Sequence, residues 1–362
     1  MALKQTPFHG AHVRSGAKLV AFAGFEMPIQ YAGIVEEHRR VRNSVGVFDV
    51  SHMGEVEVRG PGALAFVQRI TVNDASRLVE GRVQYSAMCY EDGGIVDDLL
   101  VYHCGDHYML VINASNTEKD IAWMRSHATG DVTINDRSES TGLLAVQGPK
   151  SLATLQRLTD LDLGSIQYYH WKPGMIAGVK ALVSRTGYTG ELGFELYVGS
   201  DPAAGLALWD AIMEAGREHA IGPVGLGARD TLRLEMGFCL YGNDIDRTTN
   251  PLEAGLGWIT KLEKGDFIGR PALQAVKQQG LRRKLVGFSL NDRAFPRHGY
   301  EIQAGGKRIG VVTSGTFSPV LEKGIGMGYV DAAHAASGSA LDIMVRDRCV
   351  PATVVQLPFI RK

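Results

Sequence analysis

Cysteine is scarce and scattered in this chain: Cys89, Cys104, Cys239 and Cys349 are its only four, and none forms a CxxC pair. That spacing excludes a disulfide framework and a zinc knuckle, and makes a reducing compartment the expectation. No run of about 18 apolar residues exists to cross a bilayer, so no membrane partner is expected. Residues 1–16 lack both the apolar core of a signal peptide and an Arg-rich amphipathic pattern, which leaves the cytoplasm as the expected location. An excess of either charge is missing too. Lys and Arg total 38 against 39 Asp and Glu, for a net charge of -1, and a nucleic-acid partner would need concentrated positive charge. There is no GxxxxGK[ST] phosphate loop, no HExxH zinc site and no GxSxG nucleophile elbow. The glycines of 324–328 (GIGMG) imitate a nucleotide loop, but they lie between alternating apolar runs and are expected to serve tight packing.

What is present is an ordinary globular composition, 45% hydrophobic and 21% charged, over 362 residues. That length suffices for two or three domains, each with its own core. Helical periodicity marks 34–43, 62–70, 116–127, 149–158 and 202–219, and alternation marks strands at 51–60, 108–113, 143–147, 181–184 and 195–198. Helices mixed with antiparallel strands in this order indicate α+β rather than a doubly wound sheet. After 274–280, read as a linker, the character changes. Short alternating runs at 285–290, 310–313, 325–330, 341–345 and 352–357 predict a C-terminal all-β domain of barrel or sandwich type.

Three segments stand out chemically. Residues 83–90 and 95–102 flank the turn residues 91–94 and read as a β-hairpin, with two adjacent acids, Asp97 and Asp98, inside an apolar strand. Alternation puts Ile95, Asp97, Leu99 and Val101 on one face, and Val96, Asp98, Leu100 and Tyr102 on the other. Both faces are apolar, so at least one acid is expected against buried surface, where an unpaired carboxylate is costly. The second segment, 185–195 (RTGYTGELGFE), ends on Glu195 at the opening of another apolar strand. A carboxylate there can accept two parallel hydrogen bonds from an amidine-like edge, either a protein guanidinium or the amino-pyrimidinone edge of a pterin. The third, 225–237 (GLGARDTLRLEMG), reads as a helix whose Arg229 and Arg233 share a face and repel unless each has an anionic partner. That partner is either a protein carboxylate, with Glu195 as a candidate, or a ligand carboxylate. The acidic, turn-rich 241–246 that follows suits a rim.

With these segments in place, the chain resembles a known family along nearly its whole length. FAGFEMP (22–28), VGVFDVSHMG (45–54), GGIVDD (93–98), GYTGELGFE (187–195), GARDTLRLE (227–235), LYGNDID (240–246) and VTSGTFSP (312–319) stand in the order seen in aminomethyltransferases, the T-proteins of the glycine cleavage system. The resemblance implies a three-domain cloverleaf with a discontinuous first α+β domain (1–51 plus 140–273), a second α+β domain (52–139) and a C-terminal β-domain (280–362). It implies transfer of a one-carbon unit from the aminomethyl-dihydrolipoyl arm of H-protein to tetrahydrofolate, giving 5,10-methylenetetrahydrofolate and ammonia. Tetrahydrofolate is then a co-substrate, lipoylated H-protein the partner, and no metal, flavin or nicotinamide is called for. By motif, Asp98 matches the catalytic aspartate, Glu195 the residue gripping the pterin edge, and Arg229 an arginine of the folate site. Met53, Tyr85, Tyr102, Asn113, Tyr188 and Trp258 match lining positions, and Arg361 lies in the closing PFIR segment (358–361). The same scaffold also carries folate-dependent demethylases and non-enzymatic folate-binding proteins of iron–sulfur assembly. The GGIVDD, GYTGE and GARD segments favour aminomethyl transfer, and the K-G-C-Y-x-G motif of the assembly proteins is absent.

Overall fold

The turn at 91–94 closes as its residues dictate. Gly93 takes φ +86°, a conformation that favours glycine. The Tyr90 N–H donates to the Gly94 carbonyl at 2.8 Å, the Gly93 N–H to the Tyr90 carbonyl at 2.9 Å, and the Gly94 N–H to the Asp92 carboxylate at 3.1 Å. The strands it joins, Val83–Cys89 and Ile95–His103, open a five-stranded sheet that continues through His107–Ile112 and Gly54–Arg59 to Thr133–Asp136. This computed structural model describes residues 2–361.

The chain divides into two units, each assembled from separated segments. The first comprises Met1–Val67, Ala75–Tyr85 and Leu99–Asp230; the second comprises Gln68–Asp74, Ser86–Asp98 and Thr231–Lys362. Both hairpin strands therefore begin in one unit and end in the other.

The first unit is organised around a six-stranded sheet in the order Trp171–Ile176, Val179–Ser184, Gly193–Gly199, Thr141–Gln147, Gly46–Asp49, Gly222–Pro223. Alternation along Gly193–Gly199 sends Phe194, Leu196 and Val198 into a core with Leu208, Trp209 and Ile212 of helix Pro202–Ala215. Burying each such side chain contributes roughly 1.5–3 kcal/mol. The helix starts where Asp201 caps the Ala204 N–H (2.8 Å), with Pro202 in the first turn. It stops at Gly216, short of the expected 219, and a 3-10 turn follows. The helix read at 149–158 likewise shortens to Ser151–Leu155, followed by a 3-10 turn.

The second unit holds a closed six-stranded barrel, in the order Arg283–Leu290, Lys323–Asp331, Lys307–Ser318, Glu301–Ala304, Ala340–Val345, Arg348–Val355. Its glycines pack, as their setting implied. A Cβ on Gly326 would lie 2.5 Å from Phe288 Cζ, and one on Gly328 would lie 2.6 Å from Ile302 Cδ1. The linker reading of 274–280 is corrected: helix Arg270–Gln279 occupies it, with Pro271 in the first turn, Leu273 buried and Gly280 ending it at φ +84°. Its polar run of Lys and Gln is the solvated face of an amphipathic helix.

Candidate functional site

The strand that buries Phe194 and Leu196 turns Glu195 and Tyr197 to its other face. Ser184 on the neighbouring strand is the direct cross-strand partner of Glu195, so these polar groups share one side of the sheet. Glu195 is 8% exposed. The Thr186 hydroxyl donates to its Oε2 at 2.5 Å. The Tyr102 hydroxyl lies 3.0 Å from that of Tyr197, 3.1 Å from Ser184 Oγ and 3.3 Å from Thr186 Oγ1. The result is a buried wall of hydroxyls beside one carboxyl group.

Burial pushes the Glu195 carboxyl above its ordinary range, while the Thr186 hydrogen bond and the Arg229 charge pull the other way. Tyr102 and Tyr197 are both raised, first by burial, and act as neutral hydroxyls. Arg229 is half-buried in helix Leu226–Glu235 and its guanidinium stacks on the Tyr188 ring at 4.7 Å. Its charge also reaches His52. Burial first, then Arg229, pushes that imidazole down to about 3, so His52 is neutral, and its Nδ1 has no hydrogen-bond partner among the described residues. The first unit thus brings together Glu195, Arg229, Tyr102 and Tyr188 of the expected residues. It also carries Met53, Tyr85 and Asn113, all half-buried: Met53 in the turn before Gly54–Arg59, Tyr85 within Val83–Cys89, and Asn113 just past His107–Ile112.

The second unit carries Asp98, Trp258 and Arg361. Asp97 is fully buried and Asp98 half-buried, a difference that alternation between two apolar faces left open. The segment bearing them is braced at Ile95, whose N–H donates to the Thr249 carbonyl at 2.9 Å and whose carbonyl accepts from the Tyr241 hydroxyl at 3.2 Å. Asp98 lies near Cys239, whose thiol is raised by burial, then by Asp244, then by Asp98. Trp258 is 64% exposed. Arg361 is exposed and donates to the Gln356 side chain at 3.3 Å.

Two expectations need correction. Glu195 is not the partner of Arg233. That arginine is buried against Asp244 at 2.6 Å, leaving Glu195 to Thr186 and the field of Arg229. Asp244 is no rim residue either. It is fully buried, taking hydrogen bonds from Arg233, Thr313 (2.6 Å), Ser314 (2.9 Å) and the Leu240 N–H (3.0 Å). The turn-rich composition of 241–246 looked solvated because sequence shows a loop's polarity but not its partner; the partner sits on helix Leu226–Glu235. Sequence reasoning also missed Glu55 and His52. His52 stood inside a quoted motif without a role, and Glu55 looked like the solvent side of an alternating strand, yet it is 1% exposed.

The sequence profile of the GCVT N-terminal domain matches residues 8–264, and that of the glycine cleavage T-protein C-terminal barrel domain matches 283–360. The chain is 52% identical over 359 residues to the aminomethyltransferase of Halothermothrix orenii, covering 99% of this chain and 100% of that one. It is 55% identical over 361 residues to the aminomethyltransferase of Bacteroides fragilis, covering 99% of each. Among solved structures, the glycine cleavage system aminomethyltransferase T of Bartonella henselae is similar with a TM-score of 0.92 at 35% identity, over 99% of this chain and 98% of that chain.

Proposed function

The chain belongs to the aminomethyltransferase family, the T-proteins of the glycine cleavage system, and from that premise we propose how its residues divide the family's reaction. In that reaction the carbon of an aminomethyl group on the dihydrolipoyl arm of H-protein exchanges its C–S and C–N bonds for bonds to N5 and N10 of tetrahydrofolate. The protons given up by N5 and N10 end on the thiol and on ammonia, and 5,10-methylenetetrahydrofolate is formed.

Glu195 is the anchor for the pterin, and its setting carries the reading. It is a buried carboxyl with Thr186 as its one hydrogen-bond donor among the described residues and no ion-pair partner there. Most of its acceptor capacity is therefore left for the two parallel N–H groups of an amino-pyrimidinone edge. Arg229 supplies the positive field that favours the ionised form, and Tyr188 holds that guanidinium in place. The hydroxyl wall of Tyr102, Tyr197, Ser184 and Thr186 offers donors and acceptors fixed before the ligand arrives. Met53, Tyr85, Asn113 and Trp258 are assigned to the lining and Arg361 to the closing segment, and the division into 1–51 plus 140–273, 52–139 and 280–362 belongs to the same reading.

Asp98 is the catalytic carboxylate of the hairpin. It stands at the second acid of GGIVDD, the position that matches the family's catalytic aspartate, and is half-buried. Its role is to take a proton from N5 or to stabilise positive charge developing there as the carbon is transferred. Asp97, fully buried on the opposite face, supports the strand. The assay is tetrahydrofolate-dependent ammonia release from aminomethyl-loaded H-protein. Asp98→Ala is expected to lower the rate by about 10²–10⁴-fold, while Asp97→Ala keeps most of it. Equal losses in the two variants would show that the wrong acid was chosen or that both work together.

A further inference from the structure

Glu55 is the second residue of strand Gly54–Arg59, where the alternation with Val56 and Val58 suggests a solvent face. The structure buries it instead: it is 1% exposed, and neither carboxyl oxygen has a hydrogen-bond partner among the described residues. Strand register shows what it faces. Glu55 pairs with Val111 and Val111 with Leu100; Glu57 pairs with Met109 and Met109 with Tyr102. Direct cross-strand partners share a face, as do residues two apart on one strand, so Glu55 and Tyr102 point to the same side of the sheet. On that side the Tyr102 hydroxyl meets Tyr197 and Thr186, and Thr186 holds Glu195.

The charged and titratable groups that act on Glu55 or are acted on by it are Asp136, Glu195 and Tyr197. All are acidic, and the nearest basic residue of the neighbouring turn, Arg137, pairs with Glu57 at 3.8 Å. Two carboxyls buried in each other's field do not both ionise readily. Glu195 has a donor hydroxyl and an arginine field on its side; Glu55 has neither, and burial holds its carboxyl well above the ordinary range. A protonated carboxyl offers one O–H donor and further acceptor capacity. A buried polar group left unpaired calls for an explanation, and His52 Nδ1, neutral and also without a partner, is a second unspent valence beside Arg229.

We propose that Glu55 is a further ligand-binding residue of this site, donating its carboxyl proton to a carbonyl oxygen or ring nitrogen of the heterocycle whose amidine edge Glu195 accepts. The inference rests on the folate reading of Glu195, and the two are separable by experiment. Tetrahydrofolate is titrated into wild type, Glu55→Met, Glu55→Gln and Glu195→Ala, and melting of each is followed without ligand. Glu55→Met is expected to melt no lower than wild type, because an apolar group of similar length replaces two unsatisfied oxygens, yet to bind tetrahydrofolate at least about tenfold more weakly. Glu55→Gln keeps a donor and is expected to stay within about threefold of wild type.

Wild-type affinity in Glu55→Met overturns the proposal, as does an equal loss in the Met and Gln variants, which a repacked wall rather than a lost donor produces. Should Glu55→Met not fold, the infrared carbonyl band of a protonated carboxyl decides. It is expected in wild type, absent from Glu55→Gln, and displaced when tetrahydrofolate is added; a band that does not move overturns the proposal. If Glu195→Ala binds tetrahydrofolate like wild type, the folate reading itself fails. If Glu195→Ala loses binding and Glu55→Met does not, only Glu55 is misassigned.

Discussion

Two buried polar clusters, one in each unit, are built on opposite principles. In the second unit Arg233 and Asp244 have side chains 1% and 0% exposed, and they are enclosed by partners. Arg233 donates to Asp244, to the Phe238 carbonyl (2.9 Å) and to Ser314 Oγ (2.8 Å); Asp244 also accepts from Thr313, Ser314 and the Leu240 N–H. In the first unit, among the described residues, Glu195 has one donor, and Glu55 and His52 Nδ1 have none. Burial costs both sets of groups their hydration, but only the first recovers it within the protein. The saturated cluster joins a helix to the barrel and serves the fold. The unsaturated one leaves hydrogen-bonding capacity unused among the described residues.

The largest expected effect tests the saturated side. Arg233→Ala leaves Asp244 buried and uncompensated and is expected to cost about 3–5 kcal/mol in chemical denaturation. Arg233→Met combined with Asp244→Leu recovers much of that loss, because the charge is removed along with its partner. A cost below about 1 kcal/mol for the single variant would mean that this cluster does not hold the fold.

The reverse pattern is expected next door. Glu195→Ala should weaken tetrahydrofolate binding by about 10- to 100-fold, the worth of hydrogen bonds to a charged group, with little change in melting temperature. If it destabilised the chain as Arg233→Ala does, the contrast between the clusters would collapse.

The smallest effect is a pH slope. The folded chain keeps a proton on Glu55 that the unfolded chain releases above its ordinary value of 4.5. The stability this group contributes is fully present below that pH and is lost as pH rises toward the folded value. Glu55→Gln has no such proton to lose. Its stability relative to wild type should therefore climb with pH above 4.5, by at most roughly 1.4 kcal/mol per pH unit. A difference that stays flat with pH would show Glu55 ionised in the folded chain.

The contrast also marks how far sequence reasoning reached. The hairpin, helix Ile34–Asn43 and the β-rich character of the C-terminal region could be read from turn residues and periodicity, which are local properties. The unequal burial of Asp97 and Asp98 could not, since alternation puts them on opposite faces that are both apolar and leaves the two acids equivalent. Partnership could not. Arg233 and Asp244 are eleven residues apart, and only folding shows that each satisfies the other. Glu55 is the sharper case. Its pattern with Val56 and Val58 is that of a strand with one wet face, and nothing in the strand shows that other parts of the chain cover that face. The motifs singled out Glu195, Arg229 and Asp98 as expected site residues because they stand in recognisable order; they had no means of showing which buried acid lacks a partner.

The hairpin that crosses from one unit to the other has a consequence for how the chain is made. The second unit owns 68–74 and 86–98, but its remaining residues begin at 231. About 130 residues (99–230) must be synthesised after Asp98 before the remainder of the unit that holds it begins to emerge, roughly 7 to 26 seconds at ordinary translation rates. The first unit, complete at Asp230, can fold while the ribosome is still working. Asp98 is thus made early and placed late, a non-local closure of the kind that slows folding.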